Sequence, residues 1–153
     1  MPDIFISYSS KDAVPARALY DQLSRQSLTV FLAEISLEKG QRWTSQIFDT
    51  LRHSNWFFLL ATPNSLKSDA VLQEVGGAIA TQKRLVPIML GVEPDDMPTW
   101  LREFQGIKLD DLDPHSVKQQ LDALASEVKI EKQKTLLVGI GLVAALVFLS
   151  GSK

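Results

Sequence analysis

Five short apolar runs recur along the chain and are separated by polar or amphipathic stretches. They are DIFISYS (Asp3–Ser9), LTVFLA (Leu28–Ala33), NWFFLLAT, RLVPIML and GIKL. Short apolar runs bounded by polar loops are typical of strands buried on both faces of a parallel sheet. The chain is therefore predicted to contain five strands. Pro87 interrupts the fourth run, so we expect that strand to lie towards an edge or to carry a bulge.

Between these runs, apolar residues recur with the spacing of amphipathic helices. The helical stretches are SKDAVPARALYDQLSRQ, WTSQIFDTLRHS, SDAVLQEVGGAIATQ and DPHSVKQQLDALASEVK. Strands that alternate with helices imply right-handed βαβ units. We predict an α/β fold: a flavodoxin-like five-stranded parallel sheet of order 2-1-3-4-5, with helices on both faces and a C-terminal transmembrane helix. Ligands of such folds bind at the carboxyl ends of the strands.

The transmembrane prediction rests on the C-terminal segment KTLLVGIGLVAALVFLSGSK. Eighteen residues between Lys134 and Lys153 carry no charge, and as a helix they would be about 27 Å long. The segment lacks the polar face of a peripheral helix. Lys129, Lys132 and Lys134 precede it, so the positive-inside tendency places the larger domain in the cytoplasm. We expect no signal peptide, a domain at 1–128, a basic juxtamembrane linker at 129–134 and a membrane helix at 135–152.

Composition excludes several kinds of chemistry. The chain has no cysteine, which excludes disulfides, thiolate metal ligands and a cysteine nucleophile. Its two histidines, His53 and His115, lie far apart in sequence, and no metal-ligand spacing occurs. The net charge is −2, which gives no basic footprint for nucleic acid. We therefore expect no metal site, no cofactor and no nucleic-acid partner.

Glu74 is the candidate functional side chain. It lies at the border of the apolar face of its helix, among the small residues Ala70, Gly77 and Ala78. We expect its carboxylate to project from a shallow, bare surface, although small residues also allow close helix packing. The predicted topology places Glu74 near the carboxyl ends of the strands, where ligands bind.

Four segments in this order resemble the TIR (Toll/interleukin-1 receptor) domain family, especially its bacterial members. They are DIFISYSSKD, VFLAEISLEKGQRW, SLKSDAVLQEVGGAIA and LVPIMLGVEPDDMPTWL, and the resemblance covers about Pro2 to Leu112. TIR enzymes cleave NAD⁺ between nicotinamide and ribose. The resemblance implies that Glu74 is the catalytic carboxylate and that the nucleotide pocket is lined by Tyr8, Ser9, Glu38 and Trp43.

Each pocket residue also has a simpler interpretation. Trp43 lies at the start of an amphipathic helix and is explained about equally well as a residue of the hydrophobic core. Tyr8 and Ser9 end a strand and could start a turn or cap a helix, and Glu38 lies in a charged, solvated loop. Two positions depart from the family pattern, because Ala70 replaces a tryptophan and Ala33 replaces an aspartate that are common there.

The resemblance implies an NAD⁺-cleaving enzyme that acts in bacterial defence, and the uncharged C-terminal segment implies that this enzyme is tail-anchored in a membrane. The resemblance also implies that other TIR domains are partners, through the loop EISLEKGQ; Gly141 and Ala145 have a spacing that permits close helix approach. One alternative is a non-enzymatic TIR adaptor that self-associates at a membrane, which Ala70 and Ala33 favour. A flavodoxin-like nucleotide-binding module is a weaker alternative, because no Gly-rich phosphate loop follows the first strand.

Overall fold

The computed structural model describes residues 1–35, 45–110 and 112–150. The strands are β1 (Ile4–Ser9), β2 (Val30–Ile35), β3 (Trp56–Ala61), β4 (Arg84–Met89) and β5 (Ile107–Lys108). The α-helices are α1 (Ala13–Ser24), α2 (Ser45–His53), α3 (Asp69–Ala80) and α4 (Pro114–Ser150). Three short 3₁₀ helices occur at Ser10–Asp12, Ser65–Lys67 and Pro94–Asp96.

All strand pairs are parallel, and the sheet order is β2-β1-β3-β4-β5. The predicted flavodoxin-like order is therefore confirmed. We call the end where the strands begin the amino edge and the end where they finish the carboxyl edge. In register, Ser7 of β1 lies beside Ala33 of β2 on one side and Leu59 of β3 on the other.

Each face of the sheet has its own hydrophobic core. Ile4, Ile6 and Tyr8 of β1 face the core that is shared with α1 and α4. Phe5 faces the opposite core, which α3 completes with residues such as Val75. Because helices cover both faces, β1 and β3 are buried along their whole length, which explains why their apolar runs are nearly continuous.

The position of Pro87 agrees with its expected place near an edge. β4 is the fourth of the five strands, and β5 pairs only with Ile88 and Met89, just after the proline. A Cβ atom on Gly106, which leads into β5, would lie 2.6 Å from the Pro87 carbonyl oxygen. Only glycine fits this close approach without displacement of the backbone.

The helix α4 has two parts that differ in their surroundings. Its first part is docked on the domain through four buried apolar residues: Leu121, Leu124, Ala125 and Val128. Residues 129–134, predicted as a linker, continue the same helix, and Lys132 pairs with Asp3 at 3.0 Å. The last part contains an 18-residue window with a mean hydropathy of 1.8, none of which is buried. By length and composition, this helix is able to cross a membrane.

Candidate functional site

The helix α3 presents a carboxyl group to the sheet. Ser68 caps the helix by accepting a hydrogen bond from the Val71 backbone nitrogen at 3.4 Å. Val71, Glu74, Val75 and Ala78 follow one another with helical spacing, and all four are buried against the sheet. Glu74 is only 2% exposed, so it lies within the buried stripe rather than on a shallow surface.

The small neighbours of Glu74 have a different role from the expected one. Gly77 packs close to α2, because a Cβ atom there would lie 3.7 Å from a methyl carbon of Leu51. Ala78 is fully buried, and Ala70 packs against the same core. The small residues therefore let α3 approach its neighbours closely, which buries the carboxyl group instead of exposing it.

Ser7 of β1 is the hydrogen-bond partner of Glu74. Its side chain is fully buried, and its hydroxyl donates to Glu74 Oε2. The second carboxyl oxygen, Oε1, is also buried and has no hydrogen-bond partner among the residues that the structure describes. A buried oxygen atom without a hydrogen-bond partner destabilises the folded state. Oε1 can therefore accept or donate a hydrogen bond when a ligand or water enters.

Burial also controls the charge of this group. Desolvation raises the pKa of Glu74 to about 9, and the hydrogen bond from Ser7 opposes that rise only in part. At neutral pH the carboxyl group is therefore protonated in this conformation. Strongly raised pKa values of buried carboxyl groups occur often at functional sites.

A second polar cluster joins two loops at the carboxyl edge. Asp12, at the end of the first 3₁₀ helix, is 8% exposed. The Thr62 hydroxyl donates to Asp12 Oδ2 at 2.5 Å, and Asn64 Nδ2 donates to Asp12 Oδ1 at 2.8 Å. Ser65, also buried, completes the turn by donating to the Thr62 carbonyl oxygen. The cluster fixes the loops after β1 and β3 relative to each other.

The predicted pocket residues are not all brought to Glu74. Tyr8 is 4% exposed and packs in the core of α1 and α4, on the opposite face of the sheet. Ser9 is 7% exposed and accepts a hydrogen bond from the Lys11 backbone nitrogen at 3.4 Å, so it caps the first 3₁₀ helix. Glu38 and Trp43 lie outside the described residues. Pocket roles for these four residues stay predictions.

Sequence reasoning missed Ser7 and the Asp12 cluster. Ser7 is the polar residue inside the apolar run of β1, and strand alternation places it on the face opposite Tyr8. Asp12 and Thr62 follow neighbouring strands, so the predicted strand order was a usable signal for their meeting. The burial of Ser7 beneath α3 was not predictable from local pattern, because the two partners are 67 positions apart.

The described residues contain no group of three or more His, Cys, Asp or Glu side chains that could hold a metal ion. A cavity of about 530 Å³ opens between β4 and α4, where Trp56, Gly106 and Leu124 contribute to its wall. Glu74 is not among its lining residues, so this cavity does not belong to the candidate site.

Comparison with known proteins gives a family match and several relatives. The model of the TIR domain family matches residues 4–125. A probable 2′ cyclic ADP-D-ribose synthase, BdTIR of Brachypodium distachyon, is 27% identical over 97 residues, which cover 62% of this chain and 43% of that protein. The present chain thus spans less than half the length of this relative.

Two solved structures share the fold. The TIR domain of the Toll-related receptor TRR-2 from Hydra magnipapillata is 18% identical, with a TM-score of 0.66, over 84% of this chain and 99% of that domain. A TIR-STING receptor from C. gigas, solved in complex with 2′,3′-cGAMP, is 26% identical. Its TM-score is 0.64, and the match covers 84% of this chain but 39% of the receptor.

Proposed function

The chain belongs to the TIR domain family, and we propose that it is an NAD⁺ nucleosidase that cleaves the bond between nicotinamide and ribose. One observation carries the proposal: α3 holds Glu74 in a buried position with one carboxyl oxygen bonded to Ser7 and the other without a partner among the described residues. BdTIR, which is named as a probable 2′ cyclic ADP-D-ribose synthase, supports the same class of reaction.

The reaction needs little beyond one carboxylate. Nicotinamide in NAD⁺ is already cationic, so no acid has to protonate the leaving nitrogen. As the bond to ribose breaks, nicotinamide leaves with the bonding electron pair and positive charge develops on the sugar, as in glycoside hydrolysis. Water, or a hydroxyl group of the same molecule, then bonds to the sugar carbon and loses a proton, which gives linear or cyclic ADP-ribose. A carboxylate at Glu74 would bind the ribose hydroxyls through its free oxygen and stabilise that charge. No metal is required for these steps.

Glu74 has to lose its proton before it can stabilise the developing charge. In the present conformation the side chain is 2% exposed and its pKa is about 9. Entry of water and of the cationic nicotinamide end of the substrate would reverse the desolvation and lower the pKa. We therefore infer that the described conformation is a resting state, and that opening of the site and ionisation of the carboxyl group occur together.

The two departures from the family pattern lie beside this carboxyl group. Ala33 is next to Ser7 in the sheet register, and Ala70 is one helical turn before Glu74. Both leave space where the family commonly has larger side chains. These positions favour the alternative function, a non-enzymatic adaptor that self-associates at a membrane. Under that alternative, Glu74 would be a buried structural residue.

We also propose that the helix α4 anchors the protein in a membrane by a single span, with the TIR domain in the cytoplasm. Its apolar window is wholly exposed, and a soluble domain rarely exposes such a surface. Confinement to a membrane would raise the effective concentration of the domain and promote self-association. A role in bacterial antiphage defence or signalling is proposed by analogy with the family alone.

Nicotinamide release decides between the enzyme and the adaptor. The full chain, reconstituted in vesicles at increasing density, is incubated with NAD⁺, and nicotinamide is measured by chromatography with mass detection. We expect release that rises per molecule with density and that is lost in Glu74→Gln. The product's mass separates cyclic from linear ADP-ribose, which differ by one water. No release from the wild-type protein at any density would reject the enzyme in favour of the adaptor.

A further inference from the structure

Charged side chains are unequally divided between the two edges of the sheet. The amino edge comprises 1–3, 21–29, 50–55, 81–84 and 127–134, and the carboxyl edge comprises 10–12, 62–69, 90–102 and the described part of 108–113. The amino edge has seven cations: Arg25, Arg52, Lys83, Arg84, Lys129, Lys132 and Lys134. It has four acids: Asp3, Asp21, Glu127 and Glu131.

The carboxyl edge has the reverse balance among its described residues. It has seven acids: Asp12, Asp69, Glu93, Asp95, Asp96, Asp110 and Asp113. It has four cations: Lys11, Lys67, Arg102 and Lys108. The net charge therefore changes sign from one edge to the other, over a strand of six residues that is about 20 Å long.

The helix α4 leaves the domain at the positive amino edge. It begins at Pro114, after β5, and runs back along the sheet, where Gln22 and Gln26 of α1 donate to its Asp122 at 2.8 and 2.7 Å. Near its exit, Lys132 pairs with Asp3 at 3.0 Å. These contacts hold the helix on the domain up to the start of its exposed apolar part.

The apolar part begins directly beside the amino edge. Thr135 lines a cavity of about 200 Å³ together with Asn55, Gln82 and Arg84, which precede or begin β3 and β4. The helix continues without interruption to Ser150. If residues 135–150 lie in a bilayer, the headgroup layer therefore meets the amino edge, and the carboxyl edge points away from it.

We propose that the amino edge is a docking surface for the anionic headgroups of a lipid bilayer, and that the domain is held with its carboxyl edge facing away from the membrane. The proposal rests on the membrane anchoring proposed above. Among the described residues, Arg84 and Lys132 are paired with acids. For Arg25, Arg52 and Lys134, all exposed, no ion pair occurs with a described residue, so they can bind lipid phosphates.

This orientation has a consequence for the candidate site. The loops at the carboxyl edge, which include the Asp12 cluster, remain open to the cytosol and to a soluble dinucleotide. The sides of the domain are left free for neighbouring copies in the same membrane. Attraction of the basic edge to an anionic surface falls off within a Debye length, so it acts only when the helix has already brought the edge close.

The test uses single cysteines as sites for a fluorescent dye, since the chain has no cysteine of its own. Asn55→Cys places the dye immediately before β3, and Lys67→Cys places it after β3 at the other edge; both positions are exposed. The labelled full chain is reconstituted in vesicles of phosphatidylcholine and phosphatidylserine that carry a nitroxide at the headgroup. We expect strong quenching at position 55 and little at position 67.

A charge test uses the dye at position 55. Arg25→Gln with Arg52→Gln should lower the docked-to-undocked ratio by about fivefold for each cation, which corresponds to about 1 kcal/mol. The control pair Lys11→Gln and Lys67→Gln removes the same charge from the carboxyl edge and should change nothing. Circular dichroism and flotation with the vesicles check folding and insertion of every variant.

Each result of these quenching and flotation experiments decides one part of the proposal. Equal quenching at the two positions, or stronger quenching at position 67, overturns the proposed orientation. Quenching that is unaffected by the Arg25 and Arg52 changes, or equal with and without phosphatidylserine, overturns the role of anionic headgroups. A wild-type chain that does not float with the vesicles overturns the anchoring and the orientation together, whereas the NAD⁺ cleavage is judged separately by nicotinamide release.

Discussion

Replacement of Glu74 by glutamine separates the electrostatic role of this side chain from its shape. The amide has nearly the same volume, can still accept the hydrogen bond from Ser7, and is neutral at every pH. The carboxyl group is also neutral while it stays buried below its pKa of about 9. We therefore expect Glu74→Gln to fold normally but to lose NAD⁺ cleavage by roughly 10²-fold or more.

The same substitution should change how stability depends on pH. Between the ordinary pKa of 4.5 and about 9, the folded protein holds the Glu74 proton and the unfolded chain does not. Folding stability therefore falls as pH rises through this window, by up to about 1.4 kcal/mol for each pH unit. Stability from this group is fully present below pH 4.5 and is lost as pH approaches 9. Glutamine has no such dependence.

The slope of the free energy of unfolding against pH is set by the difference in the number of bound protons between the folded and unfolded states. This slope can therefore be measured reliably. From pH 6 to pH 8 the wild-type protein should lose about 3 kcal/mol relative to Glu74→Gln. For a domain of this size, that corresponds to a gap in melting temperature that widens by about 10 °C. Asp3, Asp113 and Asp122, whose pKa values are lowered, contribute equally to both proteins and cancel.

Thermal unfolding of a chain that ends at Lys134 provides the assay. This end point removes the apolar part of α4 but keeps the buried Val128 and the pair of Lys132 with Asp3. Glu127→Gln, an exposed substitution on α4, is the matched control and should give a curve parallel to the wild type. If Glu74→Gln also gives a parallel curve, the folded protein does not keep this proton, and our account of the site is wrong. A variant with near wild-type turnover would remove Glu74 from the mechanism.

Three further changes test the site, the fold and the anchor. Ser7→Ala should shift the pH profile of nicotinamide release towards higher pH, since it removes the hydrogen bond that lowers the pKa of the Glu74 carboxyl group. Ser54→Ala, at a buried but remote position, is the control and should not shift the profile. Gly106→Ala should destabilise the domain by about 1–3 kcal/mol in urea unfolding, because a Cβ atom would lie 2.6 Å from a β4 carbonyl oxygen. Gly76→Ala, with open space around it, should be neutral or stabilising by up to about 1 kcal/mol. Leu142→Lys should weaken membrane insertion by about 2.5–3.5 kcal/mol in a translocon assay.

Each of these expectations has an outcome that contradicts it. An unchanged pH profile in Ser7→Ala would show that the serine does not tune the carboxyl group. Equal stability of the Gly106→Ala and Gly76→Ala variants would indicate that β5 lies farther from β4 than it does in the structure. Full insertion of the lysine variant would show that position 142 does not lie near the centre of the bilayer.

The sequence by itself determined the order and type of the elements. The apolar runs of the strands, the helical spacing between them and the uncharged stretch after Lys134 are local patterns with their own periods. From these patterns came the five strands and the long apolar helix, and the connection rules for alternating strands and helices added the sheet order. The sequence also made Glu74 a candidate, because this residue lies beside the apolar face of its helix, and the resemblance to the TIR family gave it the catalytic role.

Only the tertiary structure decided what surrounds those residues. Ser7 and Glu74 are 67 positions apart, and whether their side chains meet depends on which face of β1 lies under α3. The same alternation sends Tyr8 to the other core. The opposite charges of the two sheet edges depend on segments that folding brings together, five at the amino edge and four at the carboxyl edge. A local pattern records period and polarity but not distance, and the chemistry of a buried carboxyl group is set by distance and by exclusion of water.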